Sequence, residues 1–443
     1  MPILIGGFVV GIAVRVWVIL HGVEVADVQH LHNIGRYFLA GNDPYRLPPF
    51  ESNFPPIALL LEASAELASR FTNVPFQITF KIWPLAADVG TGLVIFALLL
   101  HARLSRRRAA VWSALFLLNP VSILITAAHG NLDPVTNFLS VLALALIVRN
   151  PKRLFAWSAL ALGVAIGIKP NPVLLLPILA GYPGLSIRQR VLFVVITALP
   201  AGLTFIPFFL DTPDGVIGNV FGYTGELDFG YGAILRIAWY FKTGGLHLPG
   251  TVPLDLVSVT RLTFGLAYLA LLAYGVGRMN PARLVTSTYL LFYVLFTGQS
   301  AQYAVWIVPF AILAGDWFVL AYSAAALFGL VGFYSFFFPQ ILFGDLTWFP
   351  DQLPINAPLY AGGILAMWGF STLWLVVSVA FLRIDRRERS GLDALLPDSI
   401  SSRRIAFLGR FRPVVALLAV AGCLWTLVSV FRSVTFVIDA LRG

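Results

Sequence analysis

The 443-residue chain contains one cysteine, four lysines and a charged fraction of only 12%. Cys423 lies in an apolar stretch, so no intrachain disulfide can form and no cysteine metal site can be built. A soluble protein carries about 25% charged residues, whereas here 58% of the residues are hydrophobic and the mean hydropathy is +0.85. That balance excludes an ordinary soluble domain and describes a polytopic membrane protein. The formal net charge of +9 does not indicate nucleic acid, because the basic residues fall in short clusters between apolar runs. An internal repeat, a Walker loop, a dinucleotide fingerprint, HExxH and CxxC are also missing, which argues against nucleotide-driven transport by this chain.

Long hydrophobic runs are what the chain does have. At about 20 apolar residues per span, they predict an all-α bundle of about thirteen transmembrane helices (range roughly eleven to thirteen). These lie near residues 2–20, 77–100, 110–127, 134–148, 154–168, 172–182, 191–210, 252–276, 284–298, 303–315, 317–338, 358–382 and 411–434. The first run has no basic n-region and no small-residue cleavage site, and reads as an uncleaved anchor. The basic loops at Arg103 to Arg108, Arg149 to Arg153, Arg188 to Arg190, Arg278 to Arg283 and Arg383 to Arg404 all fall on one side, which makes that side cytoplasmic. Residues 1–382 form the expected transmembrane catalytic domain, with 21–76 as the first extracytoplasmic loop. Residues 383–410 are a basic cytoplasmic connection and 411–443 a last helix and tail.

Polar groups able to do chemistry are few, and they gather on the outer side. The first outer loop carries Asp27 near the start of a helix that the pattern begins close to Glu24 and stops at Gly41-Asn42-Asp43-Pro44. Asp27 is therefore either a first-turn acid that complements the helix dipole or a catalytic base. Pro56 to Phe71 is too short to span, and Glu62, Glu66, Ser69 and Arg70 share one face, which describes an amphipathic helix lying in the interface. In the second span Lys81 and Asp88 are two turns apart and are expected to pair or to face protein rather than lipid.

His129 sits in the turn His129-Gly130-Asn131-Leu132-Asp133-Pro134. It can donate to an anionic oxygen or carry a proton, while Asp133 is expected to cap the helix that begins at Pro134. Lys169, before Pro170-Asn171-Pro172, is either a snorkelling anchor or the holder of a lipid phosphate. Farther on, a glycine-rich aromatic stretch holds Glu226 and Asp228 as reserve bases. It reads as a mobile loop over a sugar or as an interfacial belt. Gln299, Gln302 and Tyr303 break two apolar runs, and Gln302 and Tyr303 are candidates for hydrogen bonds to sugar or headgroup.

With these residues assembled, the chain resembles the multispanning glycosyltransferases of the GT-C class, which use polyprenyl-phosphate sugars. Gly41-Asn42-Asp43-Pro44-Tyr45 and Asn53-Phe54-Pro55-Pro56 are similar to stretches of bacterial glycosyltransferase family 87. Ser300-Ala301-Gln302-Tyr303-Ala304-Val305-Trp306 is similar to a stretch of the mannosyltransferase that adds the first mannose to glycolipid anchors. The likeness extends over residues 10 to 340.

The resemblance implies interface helices beside a donor lipid and makes Asp27 the catalytic base. It implies transfer with inversion, most readily of mannose, from a polyprenyl-phosphate sugar to a glycolipid or polysaccharide hydroxyl at the outer face of a bacterial plasma membrane. Lys169 and His129 would then hold the donor phosphate, and Gln302, Tyr303, Asp133, Glu226 and Asp228 would contact sugar or acceptor. Some relatives carry D-x-D in this loop where Asp27-Val28-Gln29 offers one carboxylate, so no metal or other cofactor is expected. The competing classes are a lipid or glycolipid flippase, which favours repeated halves and midplane polar residues, and a non-catalytic subunit of a glycolipid assembly complex.

Overall fold

The computed structural model describes residues 2–22, 25–48, 51–223, 225–230, 254–343 and 353–380, with 232, 233, 236 and 243 as isolated positions. Over these residues the protein is all-α, with an isolated β-bridge between Leu227 and Gln299. The expected basic connection and final helix, 383–443, lie outside the described residues. Six described helices are long and apolar enough to cross a membrane, or seven if the bent pair Arg106–Leu117 and Pro120–His129 counts as one span. This is a polytopic membrane protein. Two of the runs expected to span, near 172–182 and 303–315, instead form short apolar helices at Asn171–Ala180 and Ala301–Leu313. Ten residues rise only about 15 Å, half of a bilayer core of about 30 Å.

The chain divides into two compact units, the first comprising residues 1–224 with 308–313 and the second comprising 225–307 with the described residues from 314 onward. In the first unit, α1 (Pro2–His21) presents Val9, Val10 and Trp17 outward. Its inner face carries Gly7, Gly11 and Arg15 at a spacing of four residues. α1 packs on α5 (Arg106–Leu117) so closely that a Cβ at Gly7 would lie 2.6 Å from Ala114 Cβ, and one at Gly11 2.9 Å from the Leu117 carbonyl. Small residues at that spacing let helices approach in lipid, where apolar surface alone gives no preference for another helix.

The first outer loop folds into α2 (Ala26–Leu39) and α3 (Pro56–Thr72), two helices packed on each other, followed by α4 (Phe76–His101). α2 stops near Gly41, whose φ of +83° suits glycine. After α5, Asn119 caps Val121 N and Ser122 N and starts α6 (Pro120–Ile123). The chain then runs through a π-helical turn, Leu124–His129, to Gly130 at φ +76°. α7 (Asp133–Arg149), α8 (Pro151–Ile168), the short α9 (Leu176–Ala180) and α10 (Ile187–Asp211) follow in this unit.

In the second unit Phe318–Phe337 packs along Leu353–Ala380, and a Cβ at Gly363 would lie 2.7 Å from Gly329 Cα. The loop at 226–229 is pinned by Gln299, whose N–H donates to the Glu226 carbonyl at 2.7 Å and whose carbonyl accepts from Asp228 N and Phe229 N. The Gln299 amide donates to the Tyr293 and Phe296 carbonyls at 2.8 and 2.5 Å, closing the end of Pro281–Leu295.

Candidate active site

Asp27 stands in the first turn of α2, where a carboxylate complements the helix dipole. It does not cap the helix: Val25 occupies that position, and its side chain makes no capping bond. The carboxyl reaches across the unit instead, with Oδ2 3.0 Å from His129 Nε2. Asp27 keeps 46% of its side-chain surface exposed while His129 keeps 6%, so an outward-facing carboxylate is backed by a buried imidazole. Burial among the helices raises the Asp27 pKa, but the His129 hydrogen bond and the charges of His129, Lys169 and His30 outweigh it and hold the group below its ordinary 3.8. Asp27 is therefore a carboxylate at neutral pH.

His129 ends the π-helical turn. Lys81, fully buried in α4, donates to the Ala128 carbonyl at 3.0 Å, one residue before His129. The expected pairing of Lys81 with Asp88 is overturned. Asp88 Oδ2 accepts from Arg15 Nη2 at 2.8 Å and Nε at 3.0 Å, because α1 brings a guanidinium to this depth and its fork fits a carboxylate better than an ammonium does.

Lys169 ends α8 and neither snorkels nor stands open to solvent. Its ammonium donates to Asp133 Oδ2 at 2.7 Å, with side-chain exposures of 8% and 0%. It also lies 5.5 Å from the centre of the Phe54 ring. Asp133 is not the helix cap, which is Leu132; it is a buried first-turn acid held by the lysine.

α3 is turned the other way from the expected interface helix. Glu62 and Glu66 are buried, whereas Leu60, Leu67 and Phe71 are exposed. Beside lipid the apolar side of a helix is the outer side, and its polar stripe turns toward protein. Glu66 bonds Arg70 Nε at 2.7 Å, as its i, i+4 spacing suggests, and also His32 Nε2 at 2.8 Å. Among the described residues Glu62 has no hydrogen-bond partner at either oxygen, and burial pushes its pKa up to about 8. It is the site-region residue whose state a polar-face reading missed.

At the far end of α2 a cavity of about 460 Å³ opens between α2, α3 and α10. Phe38, Pro56, Leu60, Pro207 and Phe208 line it, with Asp43 and Asp211 at its edge. Arg46 bridges to Asp211 at 2.8 Å.

The structure thus brings Asp27, His129, Lys169 and Asp133 together in the first unit, linked by two direct bonds and the Lys169 field on Asp27. The remaining candidates belong to the second unit. Arg236 Nη1 holds Asp228 at 2.5 Å, and Arg236 Nη2 lies 3.7 Å from Glu226, so both reserve bases already face a cation. The Tyr360 hydroxyl donates to the Asp228 carbonyl. Tyr303 is buried and stacked on Trp306 at 4.0 Å, whereas Gln302 is half-buried.

Residues 54–298 match the model of glycosyltransferase family 87. Over 147 residues the chain is 30% identical to the catalytic subunit of GPI alpha-1,4-mannosyltransferase I from Danio rerio. That match covers 33% of this chain and 34% of the fish protein, so it spans about a third of that relative's length. ArnT from Cupriavidus metallidurans bound to undecaprenyl phosphate aligns over 94% of this chain and 76% of its own, with 16% identity and a TM-score of 0.49. The apo form of ArnT aligns over 94% and 77%, with 17% identity and a TM-score of 0.45.

Proposed function

Because the chain belongs to glycosyltransferase family 87, we propose that it moves a sugar from a polyprenyl-phosphate donor to a hydroxyl of a glycolipid or polysaccharide acceptor, with Asp27 as the general base. The observation that carries this reading is the Asp27 carboxyl, half exposed and braced from behind by His129 at 3.0 Å, in surroundings that hold its pKa below the ordinary value. A base must be deprotonated, open to its substrate and held in orientation, and Asp27 meets all three requirements.

In the proposed reaction the acceptor hydroxyl oxygen attacks the anomeric carbon while its proton passes to Asp27. The bond from the anomeric carbon to the phosphate oxygen breaks on the opposite face, and the polyprenyl phosphate leaves with that electron pair. The configuration inverts through an oxocarbenium-like transition state. Lys169, steadied by Asp133, stabilises the charge that grows on the departing phosphate. His129 orients Asp27 in place of the phosphate contact expected for it. The apolar cavity beside α2 and α3 suits an isoprenoid segment in its lining and size. Mannose is the sugar we favour, from the partial match to a mannosyltransferase subunit. The outer face of a bacterial plasma membrane, eleven to thirteen spans in all and a catalytic domain over residues 1–382 complete the proposal, and the step as written draws on no metal.

The test is transfer by purified protein in lipid nanodiscs, from a panel of radiolabelled polyprenyl-phosphate sugars to a glycolipid extract, with and without EDTA. Product from the mannosyl donor, unchanged by chelation, is expected. Product from another sugar alone would correct the donor, and no product from any would overturn the assignment.

A further inference from the structure

We propose that Asp88 is a positioning residue for this reaction, acting through Thr126 and Ser122 to hold the π-helical turn that presents His129 to Asp27. The inference rests on the reading of Asp27 as base and adds to it the device that keeps the base oriented.

One oxygen carries the device. Asp88 Oδ2 accepts from Arg15 Nε and Nη2 at 3.0 and 2.8 Å, from Ser122 Oγ at 2.5 Å and from Thr126 Oγ1 at 2.6 Å. Asp88 and Arg15 are each 1% exposed. Neutralising a buried carboxylate inside a span requires only the guanidinium. The two hydroxyls go further, because they belong to α6 and to the turn Leu124–His129. Arg15 Nη1 also donates to the carbonyls of Gly11 at 3.1 Å and Leu117 at 2.5 Å. The pair is thereby tied to α1, to the end of α5 and to the segment that follows the bend.

A π-turn holds one more residue than an α-turn and rotates everything beyond it by about 100° relative to an uninterrupted helix. The direction of His129 therefore depends on this turn staying π-helical. Lys81 secures the far end: its ammonium holds the Ala128 carbonyl at 3.0 Å, and a Cβ on Gly130 would stand 2.4 Å from Lys81 Cε. Two buried cations and one carboxylate thus brace six residues whose last member touches the proposed base. Lys81 is part of the brace, and Thr126 is its most specific link, because its hydroxyl can be removed without disturbing the ion pair.

The experiment compares wild type, Thr126→Val and Thr126→Ser in nanodiscs, with Ser122→Ala as the second variant should Thr126→Val fold poorly. Thr126→Val is expected to lower kcat about tenfold, within the range for loss of aligned base catalysis. It should leave the donor KM within twofold and move the acid limb of the pH profile to higher pH, because Asp27 loses the bond that lowers its pKa. Thr126→Ser should restore both kcat and the acid limb. An arm independent of turnover uses 13C-labelled histidine, with the His129 imidazole resonance assigned through His129→Gln. In the wild-type background Asp27→Asn should shift that resonance; in the Thr126→Val background it should not. A Thr126→Val protein with wild-type kcat, and with the Asp27→Asn shift intact, would overturn the proposal. Full turnover by Asp27→Asn itself would remove the base assignment, and the resonance arm would still decide whether the network positions His129.

Discussion

Asp133 and Lys169, 36 residues apart in sequence, meet at 2.7 Å with the carboxylate fully buried and the ammonium nearly so. Removing one leaves the other less compensated in a medium of low dielectric, whereas replacing both takes out the two charges together.

Lys169→Ala is therefore expected to cost about 3–5 kcal/mol of stability, while the double variant Asp133→Asn with Lys169→Met should melt close to wild type. If Lys169 also steadies the leaving phosphate, the double variant will be folded and nearly inactive. Thermal melts in detergent beside transfer assays separate the two effects. A double variant with full turnover would restrict the pair to a structural role.

Glu62 makes stability depend on pH in an unusual direction. Burial raises its pKa from 4.5 to about 8, so between those values the folded chain binds a proton that the unfolded chain gives up. Stability from this group is fully present below about 4.5, falls as pH rises and is gone above about 8. Glu62→Gln should be neutral or slightly destabilising in acid and should raise the melting temperature at pH 9. A wild-type melting curve flat from pH 5 to 9 would contradict the burial of an unpaired carboxyl.

Gly130 sits at φ +76° against the Lys81 side chain. Gly130→Ala adds a Cβ where Lys81 Cε already stands, on a residue held in a left-handed conformation. We expect a loss of about 1–3 kcal/mol and a fall in kcat larger than the fall in expression, because His129 is the adjacent residue. Measuring kcat per folded molecule, by active fraction on size exclusion, checks it.

His129→Gln should leave a folded protein whose kcat falls about tenfold or more. The Asp27 carboxyl loses a neighbouring charge even where the amide still donates to it, so its pKa rises and the acid limb of kcat/KM moves to higher pH. An unchanged profile would show that His129 does not set the state of Asp27.

Much of the helical plan was legible because membrane spans announce themselves as apolar runs of about 20 residues. α1, α4, α8 and α10 fall where those runs lie. The ends were legible as well: Gly41 and Pro56 mark a stop and a start for chemical reasons that survive folding. Partners were less so. Lys81 and Asp88 do share one face of α4, but the cation that meets Asp88 comes from α1, 73 residues away, and a periodicity within one helix carries no record of the neighbour it will meet. α3 shows a second limit, because the same polar stripe faces water in a surface helix and protein in a lipid-facing one. Asp27 and His129 were each marked by composition and motif, since polar residues are scarce here. Their contact across 102 residues was not, and on it rests the proposal that His129 supports the base.

The most direct measurement of the central claim is single-turnover sugar transfer by Asp27→Asn beside wild type, with donor binding measured on the same nanodisc samples. The account predicts that donor affinity stays within a fewfold while the rate of transfer falls by at least a hundredfold, within the range for loss of a general base. Turnover at the wild-type rate with Asn at position 27 would contradict it and move the search for the base to Glu226 and Asp228 in the second unit.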